Sequence, residues 1–194
     1  MKQKLKLIIL AVLVAAVAIT LTAGGCGKKT EESTKTEVET KTEKIDENWT
    51  TATNKSDLKD EAIGGKINNE DISINNVSIK SWNDEYSWSF SNLAPELTCG
   101  VVLNNSAVNF SSKALQAGTF EKKLADKIES SDYHAYYHYE QENGSPMSVN
   151  VNWGATVVIE KVNKDTKKVT GWAKFEFADE KTALEGSFEA DLCE

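Results

Sequence analysis

The sequence contains no arginine: all 22 basic residues are lysines, set against 30 acidic residues, and the formal net charge is −8. The guanidinium group of arginine is the side-chain group best suited to bind phosphates and the edges of nucleic-acid bases. An acidic chain without it is a poor partner for nucleic acid. Its charge also gives no attraction to an anionic membrane surface.

Motifs that carry catalysis are also missing. The sequence has no Gly-x-Ser-x-Gly, no glycine loop of the kind that binds phosphates, and no His-Glu-x-x-His. The acidic pairs Asp84-Glu85 and Asp179-Glu180 fall in expected turns, where solvated carboxylates are ordinary. We therefore expect no enzymatic activity and no cofactor.

Only one long hydrophobic run is present, the 15 uncharged residues 7–21, and it follows a segment with three lysines. A membrane span needs about 20 residues, so the run is typical of a signal peptide. Small residues then lead to Cys26, and residues 23–26 resemble the lipobox of bacterial lipoproteins. This resemblance implies cleavage before Cys26, acylation of its thiol, and anchoring at the extracytoplasmic face of the bacterial cell membrane. The alternatives are an ordinary cleaved signal and an uncleaved anchor.

The segment that follows the signal is polar. Residues 27–48 interleave lysine and glutamate with threonine and contain no aromatic residue, so they bury too little apolar surface to fold. Residues 49–61 are ambiguous and are expected along the domain surface. The predicted organisation is a signal peptide at 1–25, a lipidated cysteine with a flexible tether at 26–61, and one domain at 62–194.

Alternation of apolar and polar residues runs through most of residues 62–194 and indicates half-buried strands. Residues 147–159, 169–177 and 184–192 are joined by short polar links and predict a meander. Residues 97–103 also read as a strand, and residues 120–128 as one short helix. We expect an all-β fold, an antiparallel β-sandwich of about eight to ten strands, with a closed β-barrel as the alternative.

Two short motifs support this fold class. Gly65-Lys66-Ile67-Asn68 opens the domain, and Gly186-Ser187-Phe188 precedes Cys193. Together they resemble secreted all-β lipoprotein domains, a resemblance that implies no particular activity.

The two histidines, His134 and His138, lie four residues apart beside Asp132 and Glu140. On a helix this spacing would suit a metal site, because residues four apart share one face. On a strand the same spacing spans about 13 Å, too far to chelate one ion. Four tyrosines between residues 133 and 139 favour a strand, so we expect solvent-facing histidines and no metal.

One tryptophan breaks the apolar alternation. Trp172 shares parity with Thr170, Lys174 and Glu176, on the expected polar face of its strand. An exposed tryptophan there suggests a ligand contact, and the alternative is that it covers part of the sheet.

Two cysteines remain once Cys26 is assigned to lipid, and in an exported chain Cys99 and Cys193 are expected to pair. The alternative is two buried reduced thiols. By strand alternation, Cys99 lies on the same face as apolar residues, and Cys193 lies on the same face as polar ones. A disulfide is therefore expected at a sheet margin or end, or where the final residues bend, and it would hold the C-terminal strand.

These patterns lead to a functional expectation. We expect an exported, lipid-anchored envelope protein whose non-catalytic domain acts in binding or as a structural component. Its partner would be a protein or a glycan that the sequence does not identify. The alternative is a small-molecule or glycan-binding domain with an aromatic surface or a barrel cavity.

Overall fold

The computed structural model describes residues 48–100, 105–126 and 133–193. These residues form twelve strands and one short 3-10 helix. The strands are β1 (Trp49–Thr50), β2 (Gly64–Ile67), β3 (Glu70–Ser73), β4 (Asn76–Trp82), β5 (Glu85–Ser91), β6 (Ala107–Ser112), β7 (Gly118–Lys122), β8 (His134–Glu140), β9 (Pro146–Val149), β10 (Trp153–Asn163), β11 (Lys168–Phe177) and β12 (Ala183–Cys193), and the 3-10 helix is Pro95–Leu97. Within the described residues, no helix is long and apolar enough to cross a membrane.

The predicted all-β fold is confirmed, and its strands belong to one curled sheet that forms a half-barrel. The main path is β1-β7-β10-β11-β12-β4-β5-β6-β8-β9, with β2 and β3 attached beside β12. We call β4, β5, β6, β8 and β9 the serine half, and the remaining strands the charged half. Hydrogen-bonded pairing between the described strands of the two halves is confined to the parallel pair β12 and β4, over three residue pairs at Asp191–Cys193.

Curling brings the two halves face to face across an aromatic core. Phe90 of β5 lies 5.1 Å from Phe175 and 5.5 Å from Phe188, measured between ring centroids. Phe110 of β6 lies 5.1 Å from Phe120 of β7. Aromatic side chains bury large areas, so these contacts contribute much of the stability. The rings fill the interior, and the concavities on the outer surface of the charged half have Ala155 as the one core residue in their lining.

Local sequence explains the hairpins. The β2–β3 turn has Asn68 and Asn69 at φ 50° and 68°, and the β4–β5 turn has Asn83 and Asp84 at φ 50° and 63°. Two-residue hairpin turns of this hand need positive φ at both positions, which asparagine and aspartate tolerate best. The predicted meander is present as β10–β11–β12, each strand antiparallel to the next.

Two predicted elements are wrong in the part that the structure describes. Instead of a helix from residue 120, the chain forms β7, because the fully buried Phe120 pairs with Trp49 on one side and with Val157 on the other. Residues 127 and 128 lie outside the described residues. Instead of a strand from residue 97, the chain forms the 3-10 helix and a turn in which Cys99 has φ 67°.

The stretch 147–159 is two strands rather than one, β9 and β10, and these lie in different halves of the sheet. Residues 48–61, which the sequence groups with the tether, lie on the sheet. Trp49 is fully buried in the core, and residues 51–61, which we call the strap, cross the outer surface of the charged half.

Candidate functional site

The outer surface of the serine half is lined mainly by small, uncharged polar side chains. Every second residue of β4, β5, β6 and β8 is buried in the core, so the residues between them face outward. We call this surface the serine face, and it consists of Ser78, Lys80, Trp82, Glu85, Ser87, Ser89, Asn109, Ser111, His134 and Tyr136.

Strand register arranges these side chains in two rows that cross four neighbouring strands. The rows are Ser78–Ser89–Asn109–Tyr136 and Lys80–Ser87–Ser111–His134. Neighbouring strands lie about 4.8 Å apart, so each row is about 14 Å long. The rows form a regular array of hydroxyl, amide and aromatic groups.

The four serine hydroxyls of this array are available to a ligand. Within the described residues, those of Ser78, Ser87, Ser89 and Ser111 make no hydrogen bond to another protein group. Each hydroxyl has one proton to donate and two lone pairs that accept. The face therefore presents donors and acceptors at fixed positions without a net field of one sign.

A tryptophan stands at one end of the serine face. Trp82, the last residue of β4, is 73% exposed, more than any other large hydrophobic residue that the structure describes. Its ring belongs to the same outward series as Ser78 and Lys80. An indole combines a broad apolar surface with an N–H donor, a combination common at contact surfaces.

Charge distinguishes the two outer surfaces. The two rows of the serine face contain one ionised side chain, Lys80, although 27% of the whole sequence is charged. The outer surface of the charged half carries Glu121, Lys174, Glu176 and Glu185 on neighbouring strands. Charge is therefore sparse in the two rows of the serine face, and Glu85 lies at their end, paired with Trp82.

The described residues 92–100 and 105–106 cover the other end of the serine face and fix its boundary. Asn76 Nδ2 donates to Thr98 Oγ1 at 2.6 Å and to the carbonyl oxygen of Ala94 at 3.3 Å. A disulfide joins Cys99 to Cys193, with Cα atoms 5.4 Å apart, inside the range that a disulfide spans. This geometry is consistent with the predicted pairing.

The disulfide lies where β12 meets β4, at the end of the strand, as expected. The face assignment for Cys99 is wrong, because this residue lies in a turn rather than in an alternating strand. Because Cys99 has a positive φ, its side chain does not follow the alternation of a regular strand.

His138 ties β8 and β6 to the covering segment. Its Nε2–H donates to Asn105 Oδ1 at 3.0 Å, and its Nδ1 accepts from Asn109 Nδ2 at 2.9 Å. Burial lowers the pKa of His138, which agrees with a neutral ring in this arrangement. Both ring nitrogens are used by the two asparagines, so no lone pair is left for a metal ion.

The predicted strand holds for both histidines, and they occupy one face of β8. His134 lies in the open part of the serine face, where its ring stacks on Tyr136 at 5.8 Å. His138 departs from the prediction, since it is half-buried rather than solvent-facing. Within the described ranges, no group of three His, Cys, Asp or Glu side chains is placed to hold a metal ion.

Trp172 does lie on the outer surface, but the expectation that it is exposed is wrong. Its side chain is 9% exposed because the strap covers it. The indole Nε1–H donates to Asp60 Oδ1 at 3.2 Å, and Lys55 Nζ lies 4.0 Å from the ring centroid. Trp172 thus stabilises the strap, and it forms no open aromatic platform.

Sequence reasoning missed the serine face, although a signal for it is printed in residues 85–91, EYSWSFS. Trp88 and Phe90 indicate the buried parity, so the serines between them must share the other. The outward parity of β4, β5 and β6 is therefore a sequence signal for the array. The position of Trp82 at its end depends on strand register. Cys26, the predicted lipidation site, lies outside the described residues.

Comparison of the chain with family models, with curated proteins and with solved structures found no match.

Proposed function

We propose that this chain is an exported, lipid-anchored envelope protein whose domain binds an uncharged glycan on the serine face, without catalysis. The observation that carries the proposal is the array of unpartnered hydroxyls beside the exposed Trp82. It supports the glycan-binding alternative of the sequence analysis over a purely structural role.

Sugar chemistry fits this surface for three reasons. Sugar hydroxyls pair with groups that both donate and accept, which serine hydroxyls and the Asn109 amide do. The C–H faces of a sugar ring suit the flat apolar faces of Trp82 and Tyr136. A neutral polymer also loses little solvation against a face that has one ionised group in its two rows.

The proposed location supports the same function. A lipid on Cys26 and a polar tether would hold the domain near the membrane, where envelope glycans are within reach. The Cys99–Cys193 pair suits an oxidising compartment outside the cytoplasm. An internal ligand cavity is less suited to this domain, because aromatic rings fill its interior.

Retention on insoluble glycans tests the proposal. The purified protein is mixed with cellulose, chitin or insoluble starch, which are neutral polymers, and with heparin-agarose as the anionic contrast. We expect retention on at least one of the three insoluble glycans and none on heparin. Trp82→Ala should weaken retention at least about tenfold, because it removes the large exposed aromatic contact at the end of the face.

Met147→Ala is the matched control. Met147 is also an exposed apolar residue, at 40%, but it lies on β9 outside the serine face. A second variant, Ser89→Glu, places a charge in the array without removing an aromatic ring, and should also weaken retention. Retention that neither Trp82→Ala nor Ser89→Glu changes would refute the serine face as the site. Absence of retention on all three glycans would refute the proposed function.

A further inference from the structure

A concave site lies on the outer surface of the charged half, under the strap. Its cavity has a volume of about 250 Å³, and Glu121, Thr156 and Lys174 form part of its floor. Asn54, Ser56 and Asp57 of the strap contribute its roof. At about 30 Å³ for each water molecule, the cavity has room for a solute of amino-acid size.

Both ends of the strap are fastened to the sheet, which makes the cavity a built feature of the fold. At one end, Thr119 Oγ1 donates to the carbonyl oxygen of Ala52 at 2.6 Å and accepts from the Asn54 backbone N–H at 3.1 Å. At the other end, the Lys59 backbone N–H donates to Glu185 Oε1 at 3.2 Å, and Ser187 Oγ donates to the carbonyl oxygen of Glu61 at 3.0 Å.

Among the described residues, residues 56–58 in the middle of the strap make hydrogen bonds only within the strap. Ser56 donates to Asn54 Oδ1 through its backbone N–H and its hydroxyl, and the Leu58 N–H donates to the Lys55 carbonyl oxygen at 3.0 Å. Residues 56–58 therefore span the cavity as a roof between two fixed ends.

The floor carries two opposite charges with a hydroxyl between them. Glu121, Thr156 and Lys174 are register partners on β7, β10 and β11. Two strand spacings separate the backbones of Glu121 and Lys174 by about 10 Å. Within the described residues, the side chains of Glu121 and Lys174 form no ion pair and no side-chain hydrogen bond, so both charges can interact with a ligand.

A smaller concavity of about 190 Å³ continues this floor past Gly154. It shares Glu121, Thr156 and Lys174 with the roofed cavity. A Cβ atom at residue 154 would lie only 2.8 Å from Glu176 Oε1 and from the Leu124 backbone nitrogen. Glycine at this position therefore allows the close approach of Leu124 and Glu176 at the edge of the concavity.

We infer that this cavity, here called the strap pocket, binds a small zwitterion of the free α-amino-acid class. The ammonium group of the ligand faces Glu121, with Asp57 of the roof as a further acid, and its carboxylate faces Lys174. The Thr156 hydroxyl lies between them. A solute with one charge would satisfy only one side of the floor, whereas an amino acid complements both at once.

Titration calorimetry of the purified protein with glycine, L-alanine, L-glutamate and L-lysine tests the inference. We expect at least one of them to bind saturably and 1:1 with a Kd below about 10 mM, a weak affinity that suits a solute with few contacts. For the best ligand, the N-acetylated and the C-amidated forms should each bind at least about tenfold more weakly, because each lacks one charge.

Lys174→Met and Glu121→Gln should each weaken binding by a similar factor. Lys164→Met is the matched control, since Lys164 is an equally exposed lysine in the β10–β11 turn, away from the pocket. Because Lys174 and Lys164 are both exposed, all variants should unfold at the wild-type urea concentration. No saturation with any of the four amino acids would overturn the inference, as would binding that Lys174→Met and Glu121→Gln leave unchanged. Neither result bears on glycan retention by the serine face.

Discussion

Removing the disulfide between Cys99 and Cys193 should lower the free energy of unfolding by about 4–5 kcal/mol at 25 °C. The bond closes a loop with a sequence separation of 94, and in the chain-entropy model the stabilisation grows with the logarithm of the loop length. The bond also lies at the three-pair contact between β12 and β4 that joins the two halves. The variant Cys99→Ser/Cys193→Ser should therefore lose both the cross-link and some order at this contact.

Urea unfolding followed by tryptophan fluorescence measures the loss. For a domain of this size, the thermal midpoint should fall by roughly 10–15 °C. Reduced wild-type protein should match the double-serine variant, which controls for the substitution of the partly buried Cys193. If the free energies of unfolding of the oxidised and the reduced protein differ by less than about 1 kcal/mol, the reasoning is refuted. Such a result would mean that reducing the disulfide adds little conformational freedom to the unfolded chain.

Three further predictions concern other residues. The buried Lys122 ammonium donates to the carbonyl oxygens of Lys123, Asp126 and Trp153. Lys122→Met leaves these acceptors unpaired and should lower the free energy of unfolding in urea by about 2–4 kcal/mol. Burial lowers the pKa of His138 below the unfolded value of about 6.5, so the unfolded chain binds more protons than the folded one as pH falls from 7 to 5, and the free energy of unfolding should fall over this window. In a His138→Gln variant the free energy of unfolding should depend less on pH, and equal slopes for the two proteins would contradict this. Cys26→Ser should move the protein from the membrane fraction to the soluble fraction after cell lysis, and continued sedimentation with membranes would exclude the lipid anchor.

The strands that the sequence predicts well are those with local alternation. Residues 169–177 and 184–192 alternate cleanly, their links are short, and the structure pairs them as β11 and β12. Phe120 shows why the helix prediction failed: a spacing of four residues suits a helix, but this ring is buried between two strands that lie far away in sequence. Tertiary contacts outweighed local propensity there.

The candidate sites depend on contacts that are remote in sequence. Parity placed Trp172 correctly on the outer surface, yet nothing in residues 169–177 indicates that Asp60 and Lys55 cover it. The serine face needs the register of four strands, and β8 joins it only because Asn109 pairs with Tyr136. The parallel pairing of β12 with β4 is equally non-local, since no short connection forces these strands together.

The contact between the two halves also governs how the chain reaches its native state. Before β12 meets β4, each half is an open sheet with an unpaired edge, and such edges recruit strands from other molecules. Contacts between residues distant in sequence form slowly, because loop-closure entropy must be overcome first. We therefore expect this contact to form late in folding. The disulfide then keeps this contact closed, so we expect it also to protect the chain from aggregation through these two edges.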